Sequence, residues 1–228
     1  MKPTLFISDL HLSENHPEIT RAFERFLSEQ AVKAEALYIL GDFFEAWVGD
    51  DDHSGFINHI KKLLRTLSDS GVTLFIMRGN RDFLIGKKFC AQVGATFLPD
   101  PSIITINNQR ILLTHGDYLC TDDRAHQAFR RKADHPHLQK LFMLLPLFIR
   151  RYIADKMRHY SKQRQKTLKN YIDVNQTAVE ELMAKHDILL MIHGHTHRPN
   201  THEFELNNQK AKRIVLSDWD ENYYFHEM

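Results

Sequence analysis

A chain of 228 residues with 43% hydrophobic and 26% charged side chains suits one generous domain, or a core that carries an insertion. No apolar run approaches the ~20 residues of a membrane-spanning helix. Cys90 and Cys120 are too few for a disulfide framework and fit a reducing cytosol. Net charge is only +1, yet residues 124–170 hold 13 Lys or Arg against Asp134 and Asp155, a local +11 that leaves −10 elsewhere. One block of the chain is therefore built to meet something anionic.

The chain starts straight into an apolar run, residues 4–8, too short for a secretion signal, so no export is expected. That run reads as a buried strand ending at Asp9-Leu10-His11. Pro17 opens a helix with Ile19, Ala22, Phe23, Phe26 and Leu27 at helical spacing. Residues 36–40 form a second strand ending at Gly41-Asp42, and an acidic loop, Gly49-Asp50-Asp51-Asp52, follows. A helix over 57–67 stops at Ser70-Gly71. A third strand, 72–77, ends at Gly79-Asn80-Arg81-Asp82, and a short helix lies around 85–93. Alternating helices and non-alternating apolar strands predict parallel pairing in an α/β fold.

From residue 102 the texture changes. Runs 102–106 and 110–114 flank Asn107-Asn108-Gln109, a hairpin signal, and the second arm ends at His115-Gly116-Asp117. Beyond the basic block come a helix over 174–185 and a strand over 188–192 that leads into His193-Gly194-His195-Thr196-His197. A second hairpin, 202–206 with 213–217, surrounds Asn207-Asn208-Gln209.

Five strand ends thus carry polar residues: Asp9 and His11, Asp42, Asn80, His115, then His195 and His197. Ligands of α/β sheets gather beyond the carboxyl ends of strands, so these loops are expected to face one crevice. His195 and His197, two apart in an extended segment, point the same way. Two aspartates, an asparagine and four histidines suit two borderline transition metals better than Mg²⁺. Asp42 is the natural bridge, because one carboxylate can bind two ions. Two ions roughly 3.5–4 Å apart can share a hydroxide and clamp a phosphoryl group.

The series D-x-H, G-D, G-N-x-[DE], H-G and G-H-x-H resembles the calcineurin-like metallophosphoesterase family over nearly the whole chain. The resemblance implies a four-layer α/β/β/α sandwich. It assigns Asp9, His11, Asp42 and His197 to one metal, and Asp42, Asn80, His115 and His195 to the other. It gives catalytic roles to Asp42, Asn80, Arg81 and His115. Most members carry a histidine where this chain has Arg81. A guanidinium cannot donate a proton as that histidine does, but it binds phosphate oxygens well. The departure favours a leaving group that needs no proton, such as one phosphate of a pyrophosphate; an ion pair with Asp82 is the plain alternative.

Stretches 41–47, 79–82, 115–123 and 193–199 resemble the branch of that family acting in lipid A biosynthesis. That branch splits a UDP-linked diacylated glucosamine lipid into UMP and 2,3-diacylglucosamine 1-phosphate, prefers Mn²⁺ and works at the cytoplasmic face of the bacterial inner membrane. The likeness implies substrate contacts from Asn80, Arg81, Asp123, Ser161, Lys166 and His195. Asp123 equally reads as a helix cap and Lys166 as a solvated lysine. The competing enzyme reading is a general phosphodiesterase or phosphoprotein phosphatase; a non-catalytic module that has lost its metals would not keep all seven ligand positions.

The basic block divides the chain into a core, 1–121 and 171–228, and a helical lid, 122–170. Residues 141–145 and 147–149 are nearly continuous apolar sequence, broken by Pro146 and followed by Arg150-Arg151. Cations beside an apolar stretch too short to span suit a membrane interface or a cover for acyl chains; packing onto the core is the plainer alternative. No nucleic-acid-binding pattern accompanies the charge, so no nucleic acid is expected. No obligate protein partner is evident either.

Overall fold

A computed structural model describes residues 2–167 and 173–228, with Lys162 and residues 164–167 described through their backbone alone. Strands β1 (Thr4–Ile7), β2 (Ala36–Leu40), β3 (Thr73–Met77) and β4 (Ala95–Leu98) are parallel and adjacent in that order. Their crossovers contain helices α1 (Pro17–Glu29), α2 (Gly55–Asp69) and α3 (Lys87–Val93). These strands are apolar without alternation because both faces are covered.

The second sheet has the order β5-β6-β7-β9-β8, from β5 (Ser102–Ile106), β6 (Gln109–Thr114), β7 (Leu190–His193), β8 (Asn200–Leu206) and β9 (Gln209–Val215). Strands β6, β7 and β9 are parallel; the two hairpin arms, β5 and β8, form antiparallel edges. Each hairpin turns on two asparagines in the left-handed region, Asn107 and Asn108 at φ 49° and 63°, Asn207 and Asn208 at 51° and 61°. This is the turn that matches strand twist, and asparagine tolerates it. Gln109 and Gln209 pair with Ile106 and Leu206, so both turns are two residues long: the first is one residue tighter than the sequence suggests, and the return arm of the second begins at Gln209 rather than at 213.

The sheets pack face to face through Phe6, Tyr38, Leu40 and Met77 on one and Ile111, Leu113, Ile192 and Ile214 on the other. Phe23, Phe26, Leu64 and Phe89 close the outer face of the first sheet. Helix α7 (Gln176–His186) closes the second with Val179 and Met183 over Leu112 and Met191. The four layers are those that the motif series implies. Two strands escape the sequence reading. The half-buried edge strand β4 follows the left-handed Gly94 directly, and β10 (His226–Glu227) is a two-residue antiparallel addition to β1.

The basic block forms helices α4 (Arg124–Ala133), α5 (Pro136–Met143) and α6 (Leu147–Thr167). Pro136 starts α5 and Pro146 separates α5 from α6, where a proline's missing N–H costs nothing. Neither α4 nor α5 has a fully buried residue. The docking corrects one part of the charge reading, because several cations of the block answer the chain's own acids. Arg150, only 2% exposed, donates to the carbonyls of Val48 (2.5 Å) and Leu145 (2.9 Å) and pairs with Asp51. Arg151 meets Asp52 at 2.7 Å, and Arg130 meets Asp117 at 2.7 Å. Among the described residues no helix is long and apolar enough to cross a membrane.

Candidate metal centre

The carboxyl ends of β1, β2, β3, β6 and β7 carry the polar residues that the sequence singles out. Five of them, Asp9, His11, Asp42, His195 and His197, have left-handed backbone, with φ between 49° and 70°. For an L residue that conformation costs ~1–2 kcal/mol. It persists where packing over-determines it, and such strain gathers at functional sites.

Asp9, His11 and His197 form one cluster, with ligand atoms all within 4.8 Å of one another, and Asp42, His115 and His195 form another. In the first, Nε2 of His11 lies 3.2 Å from Nε2 of His197, which is 3.5 Å from Oδ1 of Asp9. In the second, Nε2 of His115 lies 3.6 Å from Oδ1 of Asp42 and 3.1 Å from Oδ1 of Asn80.

The neighbouring groups decide which atoms face the crevice. Asp9 Oδ2 accepts from Ser8 Oγ (2.5 Å) and the His195 amide (2.8 Å), which leaves Oδ1 buried without a hydrogen-bond partner. The Leu40 carbonyl, 2.9 Å from His115 Nδ1, fixes that nitrogen as a donor and makes Nε2, on the side of Asp42 and Asn80, the nitrogen that would ligate a cation. Asp218 Oδ2 stands 3.3 Å from His197 Nδ1 and does the same for that ring. An orphaned carboxylate oxygen and ring nitrogens turned toward one another are a donor set that fits divalent cations.

Burial and neighbouring charge set the imidazoles apart when no metal is bound. Burial pushes Asp42 up to about 7 although His115 pulls it down. Burial opposes charge on His115, yet the carboxylates of Asp42, Asp9 and Asp117 raise it to about 9. His197 rises to about 10: burial works against it, and the neighbouring carboxylates of Asp218 and Asp9 win. Burial and the neighbouring His115 push His195 down to about 3. Cations binding here would displace the protons of His115 and His197.

Glycine is required where the ligand loops touch. A Cβ on Gly79 would strike the side chain and backbone nitrogen of Asp42, and one on Gly194 would strike Asp9 and Ser8. Asp82 does not pair with Arg81. It is fully buried and accepts from the amides of Gly79 (2.6 Å) and Phe43 (2.8 Å), tying together the loops after β3 and β2. The Arg81 guanidinium instead reaches Glu45 (3.2 Å), with Nε 3.9 Å from Asp42 Oδ2. Glu45 also lies 3.5 Å from His11 Nδ1.

Glu45, Asp82, Asp218 and His126 are absent from the sequence-based set. The His126 ring lies 5.3 Å from that of His195. Asp82 and Glu45 had a local signal, their places in G-N-R-D and in the stretch 41–47. Asp123 caps α4, accepting from the His126 amide at 2.9 Å, and Ser161 is exposed on α6. The Lys166 side chain lies outside the described residues.

Residues 2–199 match the calcineurin-like phosphoesterase family. A protein of Escherichia coli O6:H1 (strain CFT073) named UDP-2,3-diacylglucosamine hydrolase is 50% identical over 217 residues, covering 95% of this chain and 90% of that one. Its namesake from Escherichia coli O1:K1 gives the same figures. A dimetal phosphatase from Danio rerio shares the fold, with a TM-score of 0.53 at 13% identity over 99% of this chain and 91% of that one. With the family matched over most of its length and two ligand clusters at its strand ends, the chain belongs to the calcineurin-like phosphoesterases and is a metal-dependent hydrolase.

Proposed function

We propose that the protein hydrolyses the pyrophosphate bond of UDP-2,3-diacylglucosamine to UMP and 2,3-diacylglucosamine 1-phosphate. The observation that carries this reading is the 50% identity, over 95% of the chain, to relatives named for hydrolysis of that compound. Water adds its oxygen to one phosphorus and gives up a proton to solvent, the bridging P–O bond breaks, and the departing phosphate leaves as an anion that needs no proton. Arg81 fits such a leaving group: a guanidinium held at the crevice wall by Glu45 can stabilise phosphoryl charge but not act as an acid.

Asp9, His11, Asp42 and His197 would hold one divalent ion, and Asp42, Asn80, His115 and His195 the other, with Mn²⁺ suited to this mixture of imidazole and carboxylate. Such ions supply an activated water and the positive charge that clamps a phosphoryl group. Asn80, Arg81 and His195 line the path of the substrate. Residues 122–170 act as the lid, with Asp123, Ser161 and Lys166 as its contacts.

Support for a lipid on the lid comes from Leu141, Leu144, Phe148, Tyr152 and Tyr160, all exposed on α5, α6 and the turn between them. Apolar groups beside cations also suit peripheral attachment to an anionic leaflet, here the cytoplasmic face of the inner membrane. Neither nucleic acid nor an obligate protein partner enters this reading.

The test is UMP release from the lipid nucleotide with and without Mn²⁺, beside a water-soluble aryl phosphodiester. Mn²⁺-dependent UMP release with much weaker turnover of the diester is expected. Turnover of the diester alone would make the protein a general phosphodiesterase and overturn the proposal.

A further inference from the structure

Beside the metal crevice lies a cavity of about 260 Å³, walled by the loop after β3, by β4 with the segment that follows it, and by the end of α4. Asn80, a candidate metal ligand, stands on its border, so a group leaving the crevice on that side enters it directly. A larger hollow of about 420 Å³, between the β8–β9 hairpin and the C-terminal tail, touches none of the seven candidate ligands.

The lining combines flat apolar faces with ionisable groups. Phe83 and Phe97 come from the core and Phe129 from α4, together with Arg78, Arg130 and Asp134. Arg78 is held in place: its Nε donates to the Ile85 carbonyl (2.5 Å), and its guanidinium carbon lies 4.8 Å from the centre of the Phe97 ring. Its terminal nitrogens make no hydrogen bond among the described residues. Arg130 is fixed by Asp117 at 2.7 Å, with Asp134 3.6 Å away.

At about 260 Å³ the cavity lies just under the ~300 Å³ from which small-ligand pockets run, so it suits nothing larger than a ring and its sugar and cannot take two acyl chains. An aliphatic chain would also desolvate charged groups without returning a hydrogen bond, which is costly. A pyrimidine nucleoside offers a π face, two carbonyls, an N–H and ribose hydroxyls, which match both halves of the lining.

We propose that this cavity receives the nucleoside half of the substrate, with the base against the phenylalanine rings and Arg78 donating to a base carbonyl. The proposal rests on hydrolysis of a UDP-linked lipid as the function. It sends the two halves of the substrate in different directions from the metals: the nucleoside between α4 and the core, the acyl chains onto the exposed faces of α5 and α6. Phe129 would then couple nucleotide binding to the seating of α4.

The test is calorimetric binding of UMP and of ribose 5-phosphate to the full, Mn²⁺-loaded chain. Stacking is worth ~1–3 kcal/mol per base, so wild type should bind UMP roughly 5- to 150-fold tighter than ribose 5-phosphate. Arg78→Met and Phe129→Ala should each remove most of that difference and leave ribose 5-phosphate affinity unchanged, a result that also reports intact folding. Equal affinity of wild type for the two ligands would overturn the proposal without recourse to any variant. So would unchanged UMP affinity in both variants, or losses shared by ribose 5-phosphate. Should wild type release UMP from the lipid nucleotide while the variants bind UMP normally, the cavity assignment fails and the hydrolysis stands. Should the cavity bind UMP as described while wild type releases none, the hydrolysis fails and the cavity stands.

Discussion

The crevice and the helical insertion hold their functional side chains in opposite ways. In the crevice, Asp9, Asp42 and His115 are buried at the ends of parallel strands, and each is fixed by further groups: Ser8 and the His195 amide, the Arg81 amide, the Leu40 carbonyl. On the insertion, Leu144 is 80% exposed, Phe148 72% and Leu141 61%. The insertion meets the core through ion pairs, Arg150 with Asp51, Arg151 with Asp52 and Arg130 with Asp117, and through side-chain bonds to core carbonyls, from Arg150 to Val48 and from Gln127 to Asp117 and Cys120. A preorganised site suits bond cleavage, where misplacement by an ångström is costly. An exposed apolar face suits a substrate with two flexible chains.

The largest effect is expected from Asp42→Ala, which removes the carboxylate proposed to serve both ions. Turnover should fall by at least ~10³-fold, as for loss of a principal charge-stabilising group. Wild type should gain thermal stability when Mn²⁺ is added, since a ligand that binds only the folded state stabilises it. The variant should lose most of that gain and keep its circular dichroism. Near wild-type turnover would dissolve the assignment of Asp42 as the bridge.

Next in size is Arg81. Arg81→Ala should lose about 2–4 kcal/mol of transition-state stabilisation, read as kcat/KM on the lipid nucleotide. Arg81→His should not recover it. A histidine variant at or above the wild-type rate would mean that a proton donor is needed at this position after all.

Smaller effects should come from the anchors. Arg150→Met leaves the Val48 and Leu145 carbonyls without their donor, at ~1–3 kcal/mol for each unmet buried group. KM for the lipid nucleotide should rise while kcat on a soluble diester holds. Acid should act on the same latch. The bond from Arg150 holds the Asp51 carboxyl below its usual range, and Asp52 is also lowered, against its burial, by Arg151 and the Ser54 amide. Groups with depressed values stabilise fully above the ordinary carboxylate value of 3.8, and that stabilisation is lost as pH falls through the lowered values. Faster amide exchange in α6 than in β2 or β7 as pH drops below that value would report the opening. Simultaneous loss of protection in all three would mean that insertion and core unfold as one.

Legibility follows sequence distance. All seven candidate ligands are visible in the chain because each sits at the end of an apolar run, beside a glycine or a short motif. Their supporting partners are not, because those pairs span the chain: Asp218 reaches His197 from beyond the second hairpin, and Glu45 meets Arg81 across a crossover. Asp82 adjoins Arg81, which offers an ion pair as the plain alternative; only the folded loops reveal that it serves backbone amides instead. The helices of the insertion are legible from composition and from Pro146. Their attachment is not, since Arg150 and Asp51 lie 99 residues apart.

The division of labour between core and insertion is tested most directly by one paired assay on the variant Leu141→Gln, Leu144→Gln, Phe148→Gln, measured on the lipid nucleotide and on a soluble aryl phosphodiester. All three side chains are exposed, so the fold should tolerate the changes. With ~0.8 kcal/mol per methylene that leaves water, losing these contacts should raise KM for the lipid nucleotide roughly 30- to 100-fold. Turnover of the soluble diester should stay at the wild-type rate. An unchanged KM for the lipid nucleotide, or equal losses on both substrates, would contradict a catalytic core served by a lipid-holding insertion.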